Sequence, residues 1–400
     1  MKIAHVANDD IALYYLLLNQ MKNLQRTGYE VTAISAPGPY IHHIEEAGIC
    51  HIPVPFTRRA NTPVQDLAAL FKLYRIFQRK QFTIVHTHNP KPGFLGQIAA
   101  KLAGVPVIVN TLHGFYFHDR MTPLSRRLFV TLERIAARCS DLILSQNRED
   151  MSTAFQEGIC RVEKIKYLGN GIDLSCFDPA RFTLEDVLKK RNELGIPAHA
   201  HVVGFVGRLA AKRKGFLDFL RAAQIVSEWL PDAYSLIVGD ADHGKPDAVH
   251  PSIAKDYNIA DRCIFVGRVP NHELPILYAV MNVLVLPSLF EGIPRVVMEA
   301  SAMQIPAVVT DVKGNREAVE HGRNGLRVPL GDVQRLAFSI AAILTDEGKA
   351  KRMGEEGRQI ALERFDENVV FEKVRQEYAS LLLQKGLVTP EEEVLTEAVS

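Results

Sequence analysis

Residues 282–311, NVLVLPSLFEGIPRVVMEASAMQIPAVVTD, hold a complete strand–turn–helix–strand pattern. An apolar run (NVLVLPS) is followed by a turn (LFEGIP), an amphipathic stretch (RVVMEASAM) with Pro294 suited to its first turn, and a second apolar run (PAVVTD). Nearly continuous apolar strands that are joined by helices are typical of a parallel sheet covered on both faces. The segment therefore predicts an α/β fold.

The same alternation runs through most of the 400 residues and is interrupted around 170–200, where Asp, Pro and charged residues collect. We predict two Rossmann-like, doubly wound parallel-sheet domains that face each other across a cleft. Their limits are predicted as 1–178, a linker at 179–200, and 201–375, with a C-terminal helix and tail at 376–400 that packs back on the first domain. The predicted strands are 2–7, 30–35, 49–54, 82–87, 106–111, 141–146, 201–207, 234–240, 263–269, 282–288, 306–311 and 325–330.

The composition is that of an ordinary soluble globular protein, with 47% hydrophobic and 23% charged residues. A net charge of +1 gives no reason to expect a nucleic acid partner. The five cysteines are far apart and form no C-x-x-C pair, which favours a reducing compartment over a disulfide scaffold. Without a signal peptide pattern or a long apolar run, we expect a cytoplasmic protein, with a position at the inner face of the cell membrane as an open alternative.

Two common nucleotide-binding signatures are missing from the sequence. The first strand runs into HVANDDIALYY, which contains no glycine, so the G-x-G-x-x-G fingerprint is absent. A phosphate loop that ends in G-K-[ST] is absent as well. A nucleotide, if one binds, must be held by other residues.

Glu291 and Glu299 lie eight positions apart around a glycine and a proline. Eight residues are just over two helical turns, so the carboxylates would lie near one face if they shared a helix. A helix start favours an anion, whereas a carboxylate repels one and accepts hydrogen bonds from hydroxyls. The combination predicts sugar hydroxyls beside a phosphate group; the alternative is a helix with ordinary exposed acids.

Arg208 and Lys214 follow the predicted strand 201–207, six residues apart. An Arg and a Lys that follow a strand's carboxyl end could both bind a diphosphate. The planar guanidinium would donate two parallel hydrogen bonds, and the ammonium would add a compact positive charge. The alternative is a solvated basic loop, since Lys212 and Arg213 lie there too.

These segments carry a family resemblance. VGRLAAKRKG (206–215) and PSLFEGIPRVVMEASAMQIPAVVTDVKGNREAV (287–319) resemble the donor half of bacterial, polysaccharide-type retaining glycosyltransferases of family 4, which have the GT-B fold. HTHNPKPGFLGQIAAKLAGVPVIVNTLHG (86–114) is similar to the family's mid-domain segment. The family's E-x7-E pair falls on Glu291 and Glu299.

The resemblance implies a donor site in the second domain. Arg208 and Lys214 would neutralise a nucleoside diphosphate, and Glu299 would hold the ribose. The base would lie near Arg268 and Val269, held by backbone groups.

The resemblance also implies the catalytic residues. Glu291, with the amides of Gly292 and Ile293, would meet the donor sugar. His113, in TLHGF, matches the family's histidine near that sugar, although a satisfied core histidine is the alternative. Together with Arg208 and Lys214 from the donor site, Glu291 and His113 form the predicted catalytic set.

The expected reaction moves a sugar from a UDP-linked nucleotide-sugar donor to a lipid-linked or saccharide acceptor in bacterial surface polysaccharide or glycoconjugate synthesis. The acceptor would attack from the leaving-group face, and the diphosphate would act as the base. No cofactor or metal is expected. Two alternatives remain open: a UDP-N-acetylhexosamine epimerase of GT-B fold, and a catalytically silent protein that binds sugar nucleotides.

Histidines in the first domain suggest two kinds of site. A zinc site is one interpretation of four of them, His86, His88, His113 and His118. However, neither a Cys nor a carboxylate completes a recognisable set of zinc ligands. We therefore expect no metal. We instead place four residues on the acceptor side of the cleft: His86, His88, Asn89 and Lys91.

Two further segments of the first domain remain ambiguous. RMTPLSRRLFVTLERIAARCSD (120–141) places leucines at helical spacing among arginines. It predicts a helix that covers the sheet or, with the basic loop FTRRANTP (56–63), a peripheral contact with anionic membrane. NDDIA (8–12) stands where the family often has a glycine-rich turn, and Asp9 or Asp10 is expected to cap the next helix.

Overall fold

Two compact units, each built on one parallel sheet, make up the chain. A computed structural model describes residues 1–57, 62–88, 90–117, 121–241 and 247–388. One unit contains Met1–Leu168 and the chain from Val370 onward, and the other contains Gly169–Val369. The predicted α/β class with two doubly wound domains is confirmed.

The first unit has a seven-stranded sheet in the order β3-β2-β1-β4-β5-β6-β7. A π-helical turn, Leu13–Leu17, lies between its first two helices. Its elements are β1 (Lys2–Asp9), α1 (Asp10–Ala12), α2 (Leu18–Arg26), β2 (Glu30–Ala36), α3 (Ile41–Glu46), β3 (Cys50–Pro53), α4 (Pro63–Lys80), β4 (Ile84–His88), α5 (Pro90–Leu102), β5 (Val107–Leu112), α6 (Pro123–Cys139), β6 (Leu142–Ser145), α7 (Arg148–Gln156) and β7 (Ile165–Tyr167).

The second unit has a six-stranded sheet in the order β10-β9-β8-β11-β12-β13. Its elements, with the last helix that returns to the first unit, are α8 (Leu184–Glu193), β8 (His201–Val206), α9 (Phe216–Trp229), β9 (Ala233–Val238), β10 (Cys263–Gly267), α10 (Leu274–Val280), β11 (Val283–Leu286), α11 (Arg295–Ala302), β12 (Ala307–Thr310), α12 (Asn315–Ala318), β13 (Gly325–Val328), α13 (Val333–Leu344), α14 (Glu347–Arg364) and α15 (Glu367–Gln384).

Each sheet buries apolar side chains on both faces. In the first unit, one face packs against α2 and α15 and the other against α4 and α5. Strands β5, β11 and β12 are buried at every position, as their continuous apolar sequences predict. Burial of each large aliphatic side chain contributes about 1.5–3 kcal/mol, so these cores hold the strands in place.

The unit boundaries differ from the predicted limits of 178, 200 and 375. The first and last segments of the second unit lie next to each other, because Ile172 and Asp366 form a parallel β-bridge. The predicted linker is not a loose connection: it contains α8, and Ile196 and Ala200 lie in the unit's core. From Val370, helix α15 belongs to the first unit.

Each sheet has a point where its strand order reverses. In the first unit the reversal lies between β1 and β4, and in the second between β8 and β11. At such a point the two loops that leave the carboxyl ends of the strands diverge and open a crevice. These crevices are the positions where open α/β sheets bind ligands.

Helices α4 and α6, which both pack against α5, expose apolar side chains. On α4, Leu67 and Phe71 are 67% and 52% exposed; on α6, Leu124 and Leu128 are 80% and 58% exposed. A different face of α6, which includes the buried Val130, covers the sheet. No helix in the described part of the chain is long and apolar enough to cross a membrane.

Candidate functional site

The crevice of the second unit is closed at its base by an ion pair. Lys214, in the loop after β8, places its Nζ 2.6 Å from Oε1 of Glu291, in the loop after β11. The backbone N–H of Leu289 also donates to the carbonyl of Arg213, at 3.0 Å. The structure therefore brings together two of the predicted site residues, which lie 77 positions apart in sequence.

Close backbone approach fixes the geometry of these loops. Gly215 has φ +66°, and a Cβ at this position would lie 1.9 Å from the carbonyl oxygen of Pro287. At the ends of the neighbouring strands, a Cβ on Gly239 would lie 2.0 Å from the carbonyl oxygen of Gly207. Only glycine fits in either place, so backbone lines this part of the crevice.

The turn that carries Glu291 leads directly into helix α11. Pro294 is the N-cap residue, and within the described part of the chain no side chain caps this helix start. The first turn of a helix has N–H groups without intrahelical partners, which suits an anion. The Nδ2 of Asn170 donates to the carbonyl of Ile293 at 3.2 Å and anchors the turn from behind.

Glu291 and Glu299 do not share a helix, because α11 begins only at Arg295. Glu299 is buried, and the hydroxyl of Tyr278 donates to its Oε2 at 2.8 Å. Its Oε1 lies 3.8 Å from Nε of Arg295. Burial raises the pKa of Glu299, and the nearby Arg295 and the Tyr278 hydrogen bond oppose that shift. The carboxylate is thus held by protein groups deep in the unit.

The remaining donor-site candidates lie at the same edge of the sheet. Arg208 is half-buried and follows β8 almost directly. Arg268 is exposed and Val269 half-buried just after β10, and β9 separates β10 from β8. Gly292 is half-buried, in the turn before α11. The predicted donor residues therefore surround the carboxyl ends of the second sheet.

In the first unit, three histidines form a hydrogen-bonded chain. His113 follows the last residue of β5, and its Nε2 lies 3.2 Å from Nδ1 of His88 at the end of β4. Nε2 of His88 lies 3.0 Å from Nδ1 of His5 on β1. His113 is half-buried, whereas His88 and His5 are fully buried. We refer to these three residues as the histidine chain.

Two acceptor-side predictions are wrong. His86 is fully buried, and its ring nitrogens lie 2.6 Å from the hydroxyl of Tyr378 and 2.7 Å from that of Thr111. His88 is 1% exposed and lies behind His113, so neither histidine reaches an acceptor surface. The reason is helix α15, whose Tyr378 covers this face of the sheet.

The other acceptor-side candidates have different outcomes. Lys91 is 18% exposed and pairs with Asp66, with 2.7 Å between Nζ and Oδ1. It therefore connects the start of α5 to the first turn of α4. Asn89 and His118 lie outside the described residues.

The buried histidines lie close enough together to be considered as a metal site. Ligand atoms of His5, His86 and His88 lie within 4.8 Å of one another. Their ring nitrogens make hydrogen bonds in the structure, between His5 and His88 and from His86 to Tyr378 and Thr111. The expectation of no metal stays a prediction.

The sequence analysis did not identify several site residues, because the residues they contact lie far away in the sequence. Asn170 falls in LGNGID, where the two flanking glycines were the available signal. Tyr278 and Tyr378 read as ordinary core residues of helices. His5 stands alone in an apolar strand, and only the parallel pairing of β1 with β4 places it opposite His86.

The turn after β1 behaves as predicted. The side chain of Asp9 caps the next helix by accepting from the N–H of Ala12 at 3.0 Å. The buried carboxylate of Asp10 accepts from the N–H of Tyr40 at 2.7 Å. This turn is therefore held by acidic side chains instead of glycines.

Two protein-family models match the chain. "Glycosyl transferases group 1" matches residues 186–360, and "Glycosyl transferase 4-like domain" matches residues 16–171. The first match contains both loops of the second unit's crevice, and the second contains the histidines at the end of β4 and β5.

Similar proteins include bacterial glycosyltransferases. An Escherichia coli UDP-Gal:alpha-D-GlcNAc-diphosphoundecaprenol alpha-1,3-galactosyltransferase is 28% identical over 96% of this chain and 98% of its own. Staphylococcus aureus CapM, a capsular polysaccharide biosynthesis glycosyltransferase, is 26% identical over 92% and 94%. Anabaena HepE in complex with UDP-glucose superimposes with a TM-score of 0.80 at 24% identity, covering 95% of this chain and all of that one (100%). The last match shows a shared fold.

Gly215→Ala is expected to destabilise the second unit by about 3 kcal/mol or more, because the new Cβ clashes with backbone. Gly195 is a matched control: its φ is +70° against +66°, but no described atom lies within 4 Å of its Cβ position. Gly195→Ala should cost only about 1–2 kcal/mol. Urea denaturation followed by the fluorescence of Trp229 measures both; equal losses would contradict the crevice geometry.

Acid is expected to weaken the first unit. Burial lowers the pKa of His5 to about 3 and those of His86 and His88 well below their usual value. Because the unfolded chain binds these protons near pH 6.5, the stability is complete above that pH and falls as pH drops. At pH 5 His5 alone costs about 2 kcal/mol, and His86 and His88 add to that loss.

Hydrogen exchange of amides in β1 and β4 at pH 7.5 and 5, corrected for intrinsic exchange rates, measures this loss. The second unit is the internal control, since its described histidines are exposed or half-buried: His199, His201, His250, His272 and His321. Equal loss of protection in both units would contradict the prediction.

Proposed function

Because the chain belongs to the glycosyltransferases of family 4 type, which have the GT-B fold, we propose a specific reaction for it. It transfers a sugar, with retention of anomeric configuration, from a UDP-linked donor to a lipid-linked or saccharide acceptor. The observation that carries the proposal is the Lys214–Glu291 pair at the strand-order reversal of the second unit.

The donor diphosphate binds in the crevice between the loops after β8 and β11. An ammonium has three donors, so Lys214 holds Glu291 and still donates to a phosphate oxygen. Arg208 adds a second cation, and the amides at the start of α11 add a partial positive charge. Charge neutralisation by these groups, without a metal or cofactor, stabilises the departing diphosphate.

The two glutamates recognise hydroxyl groups. Glu299, whose Oε2 accepts from Tyr278, offers its other oxygen to the ribose. Glu291 and the amides of Gly292 and Ile293 contact the donor sugar. A carboxylate accepts hydrogen bonds and cannot donate them, so both side chains favour hydroxyl groups over phosphate oxygens. The nucleoside base lies near Arg268 and Val269.

The chemistry balances without a protein nucleophile. The bond between the anomeric carbon and the diphosphate oxygen breaks, and that oxygen leaves with the electron pair. The acceptor hydroxyl forms the new bond from the same face, and its proton passes to the departing diphosphate oxygen. His113 contacts the sugar in this arrangement, and the cationic groups lower the barrier by stabilising the leaving group.

A lipid-linked acceptor is consistent with the printed activity of the Escherichia coli relative, which uses UDP-Gal and a diphosphoundecaprenol-linked GlcNAc. The Anabaena structure, which shares the fold, holds UDP-glucose. We therefore place the reaction in the assembly of a bacterial surface polysaccharide or glycoconjugate.

Calorimetry with UDP and a transfer assay test the donor site together. Lys214→Ala is expected to weaken UDP binding by about 1.5–3 kcal/mol, the range for a charge-assisted contact. Glu291→Gln should abolish transfer from a UDP-sugar to an undecaprenyl-diphosphate-linked sugar while its thermal unfolding stays unchanged. The product's anomeric configuration, read by NMR, should match that of the donor.

Lys212→Ala is the matched control, because Lys212 is an exposed lysine of the same loop. It should bind UDP as the unaltered protein does. Equal affinity of the Lys214 variant, or full transfer by the Glu291 variant, would refute the assignment. Conversion of a UDP-N-acetylhexosamine without any acceptor would instead identify an epimerase.

We also propose that the first unit contacts an anionic membrane through α4 and α6. Val64, Leu67 and Phe71 lie on one face of α4, spaced three and four residues apart, and are 81%, 67% and 52% exposed. Helix α4 carries four basic residues, Lys72, Arg75, Arg79 and Lys80, against one acidic residue, Asp66. Exposed apolar side chains flanked by cations are typical of helices that lie on a membrane surface.

The helix directions support this contact. Each helix begins after a strand has ended: α4 follows β3, and α6 follows β5. Their exposed first turns, at Val64 and Leu124, therefore lie at the carboxyl edge of the sheet, where β4 and β5 also end. A lipid-linked acceptor held in the membrane would therefore present its sugar to that edge. The membrane contact therefore holds the protein at the membrane and also brings it to the lipid-linked acceptor.

Co-sedimentation with vesicles tests the membrane contact. Leu67→Ser combined with Phe71→Ser should reduce binding to vesicles rich in phosphatidylglycerol at least tenfold, since each inserted side chain contributes about 1–3 kcal/mol. Phe338→Ser is the matched control, because Phe338 is 67% exposed but belongs to the second unit. An equal effect of the control, or no binding of the unaltered protein at low salt, would refute the contact.

A further inference from the structure

We propose that His88 and His5 are positioning residues that fix His113 in one tautomer, with its proton on Nδ1. The inference rests on the proposed function only for the contact between His113 and the sugar. The tautomer itself is a property of the histidine chain and can be measured without any substrate.

Hydrogen-bond accounting restricts the chain to two arrangements. A neutral imidazole has one donor nitrogen and one acceptor nitrogen. Both nitrogens of His88 lie within hydrogen-bond distance of another histidine, at 3.0 Å from His5 and 3.2 Å from His113. Therefore His88 donates to one neighbour and accepts from the other, and the two bonds run in the same direction along the chain.

The buried end of the chain selects the direction. Nε2 of His5 is buried and has no hydrogen-bond partner among the residues that the structure describes. If each ring donated toward the core, from His113 to His88 to His5, Nε2 of His5 would carry an N–H without an acceptor. If each ring donates outward, from His5 to His88 to His113, Nε2 of His5 carries only a lone pair. Orphaned buried N–H groups are rarer than under-satisfied acceptors, so the outward direction is favoured.

In the outward direction, Nδ1–H of His5 donates to His88, and Nδ1–H of His88 donates to Nε2 of His113. The proton of His113 is then on Nδ1. Burial lowers the pKa of His5 to about 3 and that of His88 well below its usual value, so both rings stay neutral near pH 7. Because Nε2 of His113 accepts from His88 and Nδ1 carries the proton, this ring has no lone pair left to act as a general base.

Packing holds the chain rigid. His88 is stacked on His86, with ring centroids 4.3 Å apart, and His86 is hydrogen-bonded to Tyr378 and Thr111. The His88 ring therefore has little freedom to rotate away from His113. A donor whose orientation is set before the substrate arrives contributes more to catalysis than one that must reorganise.

NMR of histidine nitrogens tests the inference on the full chain without substrate. In protein labelled with ¹⁵N-histidine, two-bond correlations distinguish a protonated Nδ1 from a protonated Nε2. We expect Nδ1–H for His88 and His113. His88→Phe removes the donor and should leave His113 as a mixture of tautomers, whereas His88→Asn, whose amide replaces Nδ1–H, should restore the single form.

Transfer kinetics provide a second measurement. His88→Phe should lower kcat about tenfold with little change in the donor KM, and His88→Asn should recover most of that loss. His51→Gln is the control, since His51 is another histidine of the same sheet and hydrogen-bonds to Ser35. It should leave the His113 tautomer unchanged.

Three results would overturn the inference: Nε2–H on His113 in the unaltered protein, an unchanged tautomer in His88→Phe, or a nitrogen shift characteristic of metal coordination. Absence of transfer activity together with Nδ1–H on His113 would support the histidine chain and refute only the proposed function.

Discussion

The ion pair between Lys214 and Glu291 is the contact on which the site in the second unit depends. It joins the loops that leave β8 and β11, the two neighbouring strands between which the strand order reverses. It holds an ammonium group beside the turn that leads into α11, and the backbone hydrogen bond from Leu289 to Arg213 supports the same contact between the loops. Gly215 permits the contact, because any larger residue would collide with Pro287.

The first unit uses the same topology with different chemistry. Its strand order reverses between β1 and β4, where the histidine chain runs from the core to the carboxyl edge of the sheet. The second unit thus places charged groups at its crevice, whereas the first places a chain of hydrogen-bonded histidines at its own.

The sequence predicted all but one of the described strands and both crevice loops, because apolar runs mark buried strands and the residues that follow them mark the ligand edge. It missed β7, which is only three residues long, Ile165–Tyr167. It failed where burial depends on distant partners. The alternation of His86 and His88 showed that they share a face, but not that Tyr378, 292 positions away, covers that face. By contrast, the predicted division into a turn (LFEGIP) and a helix (RVVMEASAM) is confirmed, since α11 begins at Arg295 and Glu291 lies in the turn before it.

Amide chemical shifts during a titration with UDP test the central claim most directly. The account predicts that the largest changes fall on residues 207–215 and 288–296, the two loops and the start of α11. Changes confined to the first unit, or spread over the surface of α13 and α14 with these loops unaffected, would contradict a diphosphate site at the β8–β11 crevice.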